Sequence, residues 1–352
     1  MRYPDFLPSN GTIGFVAPSF GCATEPYHTA FMNALERFHG MGYRTKLGPN
    51  CLVAKGVGIS NLPQLCGEEL NEAYCDNDSD VIISCGGGEL MCEVVPYMDF
   101  NRMKHAKPKW YMGFSDNTNF TFLSATIMDT AAIYGPCASE FGMVPWHQSI
   151  QDAFDVLTGK MQTIHGYDLW EREWTKDEEH PLEPYNVTVP VEYRSFLPDE
   201  HKTLTEANET EEIHLSGRLI GGCMDCLINL RGTEFDHVAE FNERYKNEKK
   251  IWFLESCDLN IMSIRRAIWQ MKHSGWFDNV SGFLIGRPLC FGEEAFDIDQ
   301  YRAVTDLLAE YQVPVIMDLD IGHLSPMMPV ICGATADVDV KGNDIRICYT
   351  WK

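Results

Sequence analysis

The sequence predicts an α/β protein in which a doubly wound parallel sheet is joined to a second, mixed α/β domain. In the first half of the chain, short continuous apolar runs alternate with segments of helical periodicity. This alternation is typical of strands that are buried on both faces beneath crossover helices. The second half repeats the alternation but ends in two strand-like runs around a short turn, which predicts a terminal hairpin. A length of 352 residues suits two domains.

The predicted N-terminal strands are apolar runs that each stop at a turn. Residues 12–19 end in Pro-Ser, residues 81–85 lead into three glycines, and residues 131–134 lead into Gly-Pro. Another apolar run ends at Gly113. Apolar spacing predicts the helices that separate these strands, over residues 29–41, 62–74, 89–98 and 119–128.

The predicted C-terminal elements follow a stretch of different composition. Residues 165–212 are rich in Glu, Asp, Pro and Thr and poor in long apolar runs, which indicates a boundary with an extended loop or irregular β segment. We therefore expect an N-terminal domain at 1–165, a linker at 166–212 and a C-terminal domain at 213–352. In the last of these, the predicted strands cover residues 215–222, 251–255, 280–286, 313–318, 336–340 and 345–349, and the predicted helices cover 223–230 and 264–272.

The charge balance excludes several classes of partner. The formal net charge is −23, which disfavours nucleic acid, because phosphate binding needs a basic face, and also disfavours anionic membranes. No apolar run reaches the roughly 18–20 residues that a membrane-spanning helix needs, and the N-terminus lacks the apolar core of a signal peptide. We therefore expect a cytoplasmic protein with neither a nucleic-acid nor a membrane partner.

The cysteines do not form a metal-binding pattern. Thirteen are scattered along the chain, several of them within apolar runs, where a reduced cysteine behaves as a small hydrophobic residue. Cys223 and Cys226 are the only close pair with a redox or metal spacing, and no second pair or histidine lies at zinc-finger distance. We expect this pair to lie on a helix with one or both members buried, and we expect no metal or other cofactor.

The most informative motif is Gly113-Phe114-Ser115-Asp116, between an apolar run and a helical segment. Such a turn presents a serine hydroxyl clear of the backbone and lets the next N–H, that of Asp116, face a developing oxyanion. In the better-known elbow a second glycine stands where this chain has Asn117. The alternative is an ordinary connection between a strand and a helix.

A serine nucleophile needs a base and a group that orients the base. His323 follows an apolar strand, and Glu255 ends the apolar run Ile-Trp-Phe-Leu, where a carboxylate is costly unless it is paired. The alternatives are a packing role for His323 and an N-cap or ion-pair role for Glu255. Sequence spacing alone does not bring Ser115, Glu255 and His323 together.

Two further features, a glycine loop and a pair of tryptophans, have two interpretations each. Gly86–Gly88 can turn backbone N–H groups toward an anion, either as an oxyanion donor or as a phosphate cradle. The nucleotide-binding fingerprints are absent, and Glu89 would repel phosphate. Trp170 and Trp174 are either packing residues or a stacking surface over the active site.

Taken in order, the motifs of this chain resemble the LD-carboxypeptidase family of serine peptidases. The resemblance extends from residue 12 to residue 336 and therefore covers nearly the whole chain. The family includes murein tetrapeptide carboxypeptidases and microcin C immunity peptidases. The matching motifs are Ile13–Ser19, Cys85–Gly88, Gly113–Asp116, Tyr134–Pro136, Gly221–Gly222 with Arg231–Thr233, Phe253–Glu255 and Gly322–His323.

This resemblance implies a Ser-His-Glu triad and a cofactor-free hydrolase. Ser115 would be the nucleophile, His323 the general base and Glu255 the carboxylate that orients it. The N–H groups of Asp116 and Gly87 would form the oxyanion hole. The resemblance also implies a flavodoxin-like N-terminal domain, a mixed, β-rich C-terminal domain and a homodimer.

The chain departs from the murein-type pattern near the proposed site. Murein-type members usually carry Arg-Gly-Gly-Tyr-Gly where this chain has Cys85–Glu89, whereas Ile285–Pro288 is more similar to the microcin-immunity branch. In that branch a loop aromatic can stack on a nucleobase. The candidate substrate-binding residues are Gly88, Glu89, Trp170, Trp174 and Arg287, the last either holding a substrate carboxylate or forming a structural ion pair.

Two substrates and one non-enzymatic function follow from these observations. The resemblance implies a carboxypeptidase that releases terminal D-Ala from a murein tetrapeptide. The alternative is an immunity-type peptidase that cleaves the amide bond of a peptidyl or aminoacyl nucleotide such as a sulfamoyl adenylate. From the residues alone, a protein that binds a small ligand without catalysis remains a third hypothesis.

Overall fold

The structure, a computed structural model, describes residues 1–350. Its strands, numbered along the chain, are β1 (Thr12–Val16), β2 (Arg44–Leu47), β3 (Val81–Ser84), β4 (Tyr111–Gly113), β5 (Ala132–Tyr134), β6 (Thr163–His165), β7 (Leu169–Trp170), β8 (Val189–Pro190), β9 (Arg194–Pro198), β10 (Leu204–Glu206), β11 (Glu212–Cys223), β12 (Lys250–Glu255), β13 (Val280–Gly286), β14 (Glu294–Ala295), β15 (Ile298–Asp299), β16 (Val315–Leu319), β17 (Val330–Cys332), β18 (Thr335–Lys341) and β19 (Asp344–Thr350). Its α-helices are α1 (Tyr27–Gly40), α2 (Pro63–Cys75), α3 (Phe100–His105), α4 (Thr118–Thr126), α5 (Gln148–Leu157), α6 (Met224–Leu230), α7 (Val238–Arg244), α8 (Ile261–His273) and α9 (Gln300–Leu308).

The described chain forms two compact units. Unit 1 comprises residues 1–162, 173–186 and 328–332. Unit 2 comprises residues 163–172, 187–327 and the chain from Gly333 onward. Within the stretch 166–212, the strands β9 and β10 join the sheet of unit 2, while residues 173–186 belong to unit 1.

Unit 1 contains the predicted doubly wound sheet. Strands β2, β1, β3, β4 and β5 lie side by side in that order and are all parallel, which is the flavodoxin-like order. Strand β17 adds to β5 in the antiparallel direction. Because β4, β3 and β1 are neighbours, the turns that follow their carboxyl ends lie beside one another at the edge where such sheets bind ligands.

Unit 2 contains a mixed sheet, as predicted. The order is β10-β9-β16-β13-β12-β11-β18-β19-β6. Strands β11, β12, β13 and β16 are parallel, and the outer strands run antiparallel, including the terminal β18–β19 hairpin. The carboxyl ends of β12, β13 and β16 therefore bring Glu255, Arg287 and residues 320–323 to one edge of this sheet.

The helix predicted over residues 89–98 is wrong. Two short 3₁₀ helices, Met91–Glu93 and Val95–Tyr97, occupy this segment. Pro96 has no N–H to donate within a helix, and the N–H of Met91 instead bonds the Asp116 carboxylate at 2.8 Å. The missing donor at Pro96 interrupts the helical hydrogen bonding that the apolar spacing of this segment predicts.

Strand β2 and helix α3 were not predicted. Strand β2 lies at an edge of the sheet and is largely exposed, so it has no continuous apolar run to identify it. Helix α3 is short and begins at the N-cap Asp99, whose side chain accepts a hydrogen bond from the Arg102 N–H. Among residues 1–350, no helix combines the length and the apolar character required to cross a bilayer.

Candidate active site

Ser115 occupies a strained position between β4 and α4. Its φ is +61°, in the left-handed region that non-glycine residues rarely adopt. The Ser115 N–H donates to the hydroxyl of Tyr134, at the end of β5, over 3.1 Å. A strained serine in a turn between a strand and a helix is the geometry of a nucleophile elbow.

Asn117 stands where the better-known elbow has its second glycine. Its side chain is fully buried and donates to the carbonyl oxygens of Gly86 at 2.9 Å and Phe114 at 3.0 Å. The Tyr111 hydroxyl donates to the Asn117 Oδ1 over 2.5 Å. The amide side chain therefore ties the elbow to the glycine loop, a connection that a glycine at this position could not make.

The glycine loop after β3 lies against the Ser115 side chain. A Cβ added to Gly87 would lie 3.2 Å from Ser115 Cβ and 3.4 Å from Ser115 Oγ. The Gly87 carbonyl accepts a hydrogen bond from the Phe20 N–H at 2.7 Å. Glycine at position 87 thus lets the backbone approach the hydroxyl closely, which is what an oxyanion donor requires.

Asp116, directly after Ser115, is a buried carboxylic acid. Its side chain is 3% exposed and accepts hydrogen bonds from Ser19, Met91 and Asn119. Burial raises the pKa of Asp116 from 3.8 to about 6, and these hydrogen bonds oppose the increase, whereas the charge of Glu89 adds to it. The acid therefore titrates close to neutral pH.

His323 and Glu255 form a hydrogen-bonded pair in unit 2, with Glu255 buried and His323 mostly so. The Nδ1 atom of His323 lies 2.9 Å from the Glu255 Oε2, and the Glu255 side chain is completely buried. With Glu255 ionised, Nδ1 carries the proton in this bond and Nε2 is the basic nitrogen. The pairing predicted from sequence for these two residues is therefore present.

The environment of His323 favours its protonated form. Burial by itself lowers the pKa of an imidazole, but the charge of Glu255 and the hydrogen bonds with Cys257 and Glu255 outweigh this effect. The pKa of His323 is consequently well above its usual value of 6.5. A base with this property is strong, but it is available only when the pH is high enough to deprotonate it.

Glycines enclose the Glu255 carboxylate. Gly322 has a φ of +110°, and a Cβ at this position would lie 2.5 Å from the Glu255 Oε2. A Cβ at Gly286 would lie 2.9 Å from the Glu255 Cβ. These distances explain the glycines at positions 286 and 322, since a larger residue at either position would press against the Glu255 side chain.

Arg287 and Trp170 belong to a packed network in unit 2. Arg287 is 1% exposed, and its Nη2 donates to the Asp318 carbonyl at 3.0 Å and to the Asp320 Oδ1 at 2.8 Å. Its guanidinium carbon lies 4.6 Å from the centre of the Trp170 ring, and the Trp170 and Phe291 rings pack in a T-shaped arrangement with centres 5.3 Å apart. These contacts favour the structural alternatives, ion pairing for Arg287 and packing for Trp170.

Asp320 connects this network to the turn that carries His323. Its carboxylate also accepts hydrogen bonds from the Tyr193 hydroxyl at 2.5 Å and the Tyr167 N–H at 3.1 Å. Burial raises the pKa of Asp320 above 3.8, and the Arg287 charge opposes this shift. The turn from Asp320 to His323 is thus attached on its buried side to a fully engaged carboxylate.

Trp174 differs from Trp170 because it is exposed. Its side chain is 61% exposed and lies in the part of the linker that belongs to unit 1. Glu140 attaches this segment, accepting hydrogen bonds from Lys176 at 3.4 Å and from Tyr185 at 3.0 Å. Trp174 therefore has an accessible ring. Glu89, directly after the glycine loop, is also exposed and has an accessible carboxylate.

The Cys223 and Cys226 pair lies where β11 passes into α6. Cys223 ends the strand, Cys226 lies on the helix, and both are buried. Within residues 1–350, no group of three or more His, Cys, Asp or Glu side chains is arranged to hold a metal ion.

The structure brings the predicted residues together in two separate groups. Ser115, Asp116 and Gly87 adjoin one another in unit 1, and His323 and Glu255 bond directly in unit 2. Sequence reasoning missed the hydrogen-bonding roles of Tyr134 and Ser19, although both stand in motifs that mark the family. A polar side chain at the end of a buried strand was the signal that could have identified them.

Comparison with known families identifies both halves of the chain. Residues 13–135 match the model of the LD-carboxypeptidase N-terminal domain, and residues 216–338 match that of the LD-carboxypeptidase C-terminal domain. The microcin C7 self-immunity protein MccF of Escherichia coli is 27% identical over 96% of this chain and 92% of its own. The murein tetrapeptide carboxypeptidase of Pseudomonas aeruginosa is 23% identical over 96% of each chain.

Solved structures share the fold. MccF in complex with glutamyl sulfamoyl guanosine superposes with a TM-score of 0.78 at 21% identity, covering 99% of this chain and 98% of the other. An MccF-like protein from Streptococcus pneumoniae in complex with AMP gives a TM-score of 0.73 at 21% identity, covering 96% and 99%. At these identities the likeness establishes the architecture.

Proposed function

This chain belongs to the LD-carboxypeptidase family of serine peptidases, and from that premise we propose that it hydrolyses an amide bond of a small peptide through Ser115, His323 and Glu255. The observation that carries the proposal is the strained backbone of Ser115, with a φ of +61°. Strain of this kind costs of order 1–3 kcal/mol and persists where function requires it. The buried pair of His323 and Glu255 supplies a matching base.

The proposed reaction proceeds through an acyl-enzyme. His323 Nε2 accepts the Ser115 hydroxyl proton as Oγ forms a bond to the substrate carbonyl carbon. The protonated imidazole, stabilised by Glu255, then gives that proton to the leaving amine as the amide C–N bond breaks. A water molecule, deprotonated in turn by His323, hydrolyses the ester and releases the carboxylic acid and free Ser115.

The proposed oxyanion hole uses backbone donors of unit 1. The N–H of Asp116 follows the nucleophile, and the N–H of Gly87 belongs to the loop whose backbone lies against the Ser115 side chain. Such donors act on charge that develops in the transition state, and each is worth roughly 10²–10³ in kcat.

Two substrates are consistent with this chemistry. The first is a murein tetrapeptide, from which the enzyme would release the terminal D-Ala. The second is a peptidyl or aminoacyl nucleotide. Two observations favour the second: the exposed Trp174 ring can stack on a base, and Cys85–Glu89 lacks the Arg and Tyr of murein-type members.

Mass spectrometry of product mixtures tests the proposal. Wild-type protein and the Ser115→Ala variant would each be incubated with L-Ala-D-Glu-meso-diaminopimelate-D-Ala and with a peptidyl sulfamoyl adenylate. We expect cleavage of one of the two by the wild type, reduced at least about 10³-fold by Ser115→Ala. The identity of the cleaved substrate decides between the two candidates.

The matched control is Ser263→Ala, on helix α8 of unit 2, which should retain wild-type activity. Full activity of Ser115→Ala on a cleaved substrate would refute the proposed nucleophile. If neither compound is cleaved but Ser115 reacts with a fluorophosphonate, the nucleophile stands and both substrates are rejected.

A further inference from the structure

The Asp116 carboxylate bonds three segments around the nucleophile. Its Oδ2 atom accepts hydrogen bonds from the Ser19 hydroxyl at 2.5 Å, after β1, and from the Met91 N–H at 2.8 Å, beyond the glycine loop. Its Oδ1 accepts from the Asn119 side chain at 3.0 Å, at the start of α4. One buried carboxylate therefore connects the turns that follow β1, β3 and β4.

The loop that carries Gly87 is held at both of its ends by this part of the chain. Asn117 bonds the Gly86 carbonyl on the near side, and Asp116 bonds the Met91 N–H on the far side. The same turn that provides Ser19 also provides the Phe20 N–H, which bonds the Gly87 carbonyl at 2.7 Å. Asn117 thus fixes the peptide unit that carries the Gly87 N–H, and Asp116 holds the segments that flank the loop contacts, through Ser19 and Met91.

The chemistry of these contacts requires an acceptor. Ser19 donates its only hydroxyl proton, and a backbone N–H such as that of Met91 can only donate. Hydrogen bonds to an ionised carboxylate are shorter and roughly twice as strong as those between neutral groups. An amide in place of the carboxylate would have the same shape but would turn an NH₂ toward one set of donors.

We propose that the Asp116 side chain is a positioning residue that fixes the Gly86–Gly88 loop so that the Gly87 N–H faces the oxyanion. This inference rests on the proposed function, and it assigns to the side chain of Asp116 a role separate from that of its backbone N–H. Hydrogen-bond donors that already face the oxyanion position before the reaction need no reorganisation during it. Loosening the loop should therefore weaken binding of the transition state and leave binding of the substrate almost unchanged.

The test is the rate at which Ser115 is phosphonylated by a small fluorophosphonate, followed by intact-protein mass spectrometry. The phosphonyl oxygen occupies the oxyanion position, so the rate reports the hole without needing the natural substrate. We expect Asp116→Asn, which keeps the backbone N–H, to react 10- to 100-fold more slowly than wild type. On a cleaved substrate, kcat should fall by the same factor with KM within about twofold.

The matched control is Asp152→Asn, which also replaces a buried aspartate of unit 1 (on helix α5) but is not part of this network. We expect its phosphonylation rate to stay within about twofold of wild type. Equal rates for Asp116→Asn and wild type would overturn the inference. A slower rate accompanied by a matching rise in KM would also overturn it.

Two outcomes keep this test separate from that of the proposed function. A wild-type protein that is not labelled at Ser115 would overturn both the proposed function and this inference. If Asp116→Asn does not fold, Ser19→Ala removes a single donor to the same oxygen and decides the question. We expect a reduction of five- to tenfold in its phosphonylation rate, and an unchanged rate would overturn the inference.

Discussion

Asp116 in unit 1 and Asp320 in unit 2 are both buried carboxylates beside a proposed catalytic residue, but they are compensated differently. Asp320 faces the Arg287 guanidinium at 2.8 Å, together with the Tyr193 hydroxyl. The hydrogen bonds to Asp116 come from a hydroxyl, a backbone N–H and an amide. One carboxylate is held by a cation and the other by neutral donors.

This difference determines how each of the two turns responds when its carboxylate loses its charge. A buried ion pair becomes strongly destabilising when one partner is removed, because the other charge remains buried. A carboxylate held by neutral donors can be neutralised without leaving an opposite charge behind. The turn that carries His323 is therefore fixed by an ion pair, whereas the turn that carries Ser115 depends on a group that titrates near pH 6.

The largest expected effect is on kcat, and it tests whether Glu255, the carboxylate of unit 2 that bonds His323, acts in catalysis. Glu255→Gln should lower kcat by about 10³–10⁴, because the amide holds the wrong tautomer and does not stabilise the imidazolium. Since Glu255 raises the pKa of His323, the pH at which kcat/KM is half-maximal should also fall in the variant. Steady-state kinetics between pH 5 and 10 measure both.

The control for Glu255→Gln is Glu248→Gln, which alters a partly exposed glutamate of the same unit that pairs with Arg218. Its activity and pH profile should match those of the wild type. A Glu255→Gln variant with wild-type kcat would remove Glu255 from the triad and leave it as a structural residue.

The next effect concerns the free energy of unfolding. Asp320→Asn should lower it by about 3–5 kcal/mol, because Arg287 keeps its charge in a buried position. Urea denaturation at pH 7 measures the loss. The double variant Arg287→Met/Asp320→Asn removes both charges and should be less destabilised than Asp320→Asn alone. A loss below about 1 kcal/mol in the single variant would erase the contrast between the two aspartates.

The smallest effect is a change of stability with pH. In the folded protein the pKa of Asp116 is about 6, which is higher than its ordinary value of 3.8 in the unfolded chain. Asp116 therefore favours folding most below its ordinary pKa of 3.8, and this contribution is lost as the pH rises through about 6. The gap between 3.8 and about 6 corresponds to roughly 3 kcal/mol.

Asp116→Asn removes this dependence. Relative to wild type, the free energy of unfolding of the variant should rise by up to roughly 3 kcal/mol between pH 4 and pH 7. The cost of its altered hydrogen bonds is present at both pH values and cancels in this comparison. Urea denaturation at both pH values provides the comparison, with Asp152→Asn measured alongside. A difference between wild type and variant that does not change with pH would contradict the raised pKa of Asp116.

The elements that could be predicted are those whose burial requires apolar residues at consecutive or alternating positions. Continuous apolar runs identified β1 and β3, and the terminal hairpin was confirmed as β18 and β19. A carboxylate at the end of a buried strand indicated that Glu255 needs a partner, and the family resemblance implied that this partner is His323. For these strands the physical requirement acts on a short segment, so the segment alone contains the information.

The parts that could not be predicted depend on contacts between distant segments. Asn117 replaces a glycine, and only the position of the Gly86 carbonyl explains its amide. The N–H of Met91, after the glycine loop, bonds the carboxylate of Asp116, 25 residues away. From the sequence, a substrate-binding role and an ion pair were equally justified for Arg287. Its partner Asp320 lies 33 residues further along the chain, so no local pattern indicates the pair.

Strand β17 gives the protein an unusual order of assembly during synthesis. Its residues Val330–Cys332 pair with β5, which was completed at Tyr134, about 200 residues earlier. At a translation rate of 5–20 residues per second, that interval is roughly 10–40 s. Throughout it, the nascent chain presents the backbone groups of the β5 edge to the cellular milieu. Unit 1, which contains Ser115, is therefore completed only after residues 187–327 of unit 2 have been synthesised.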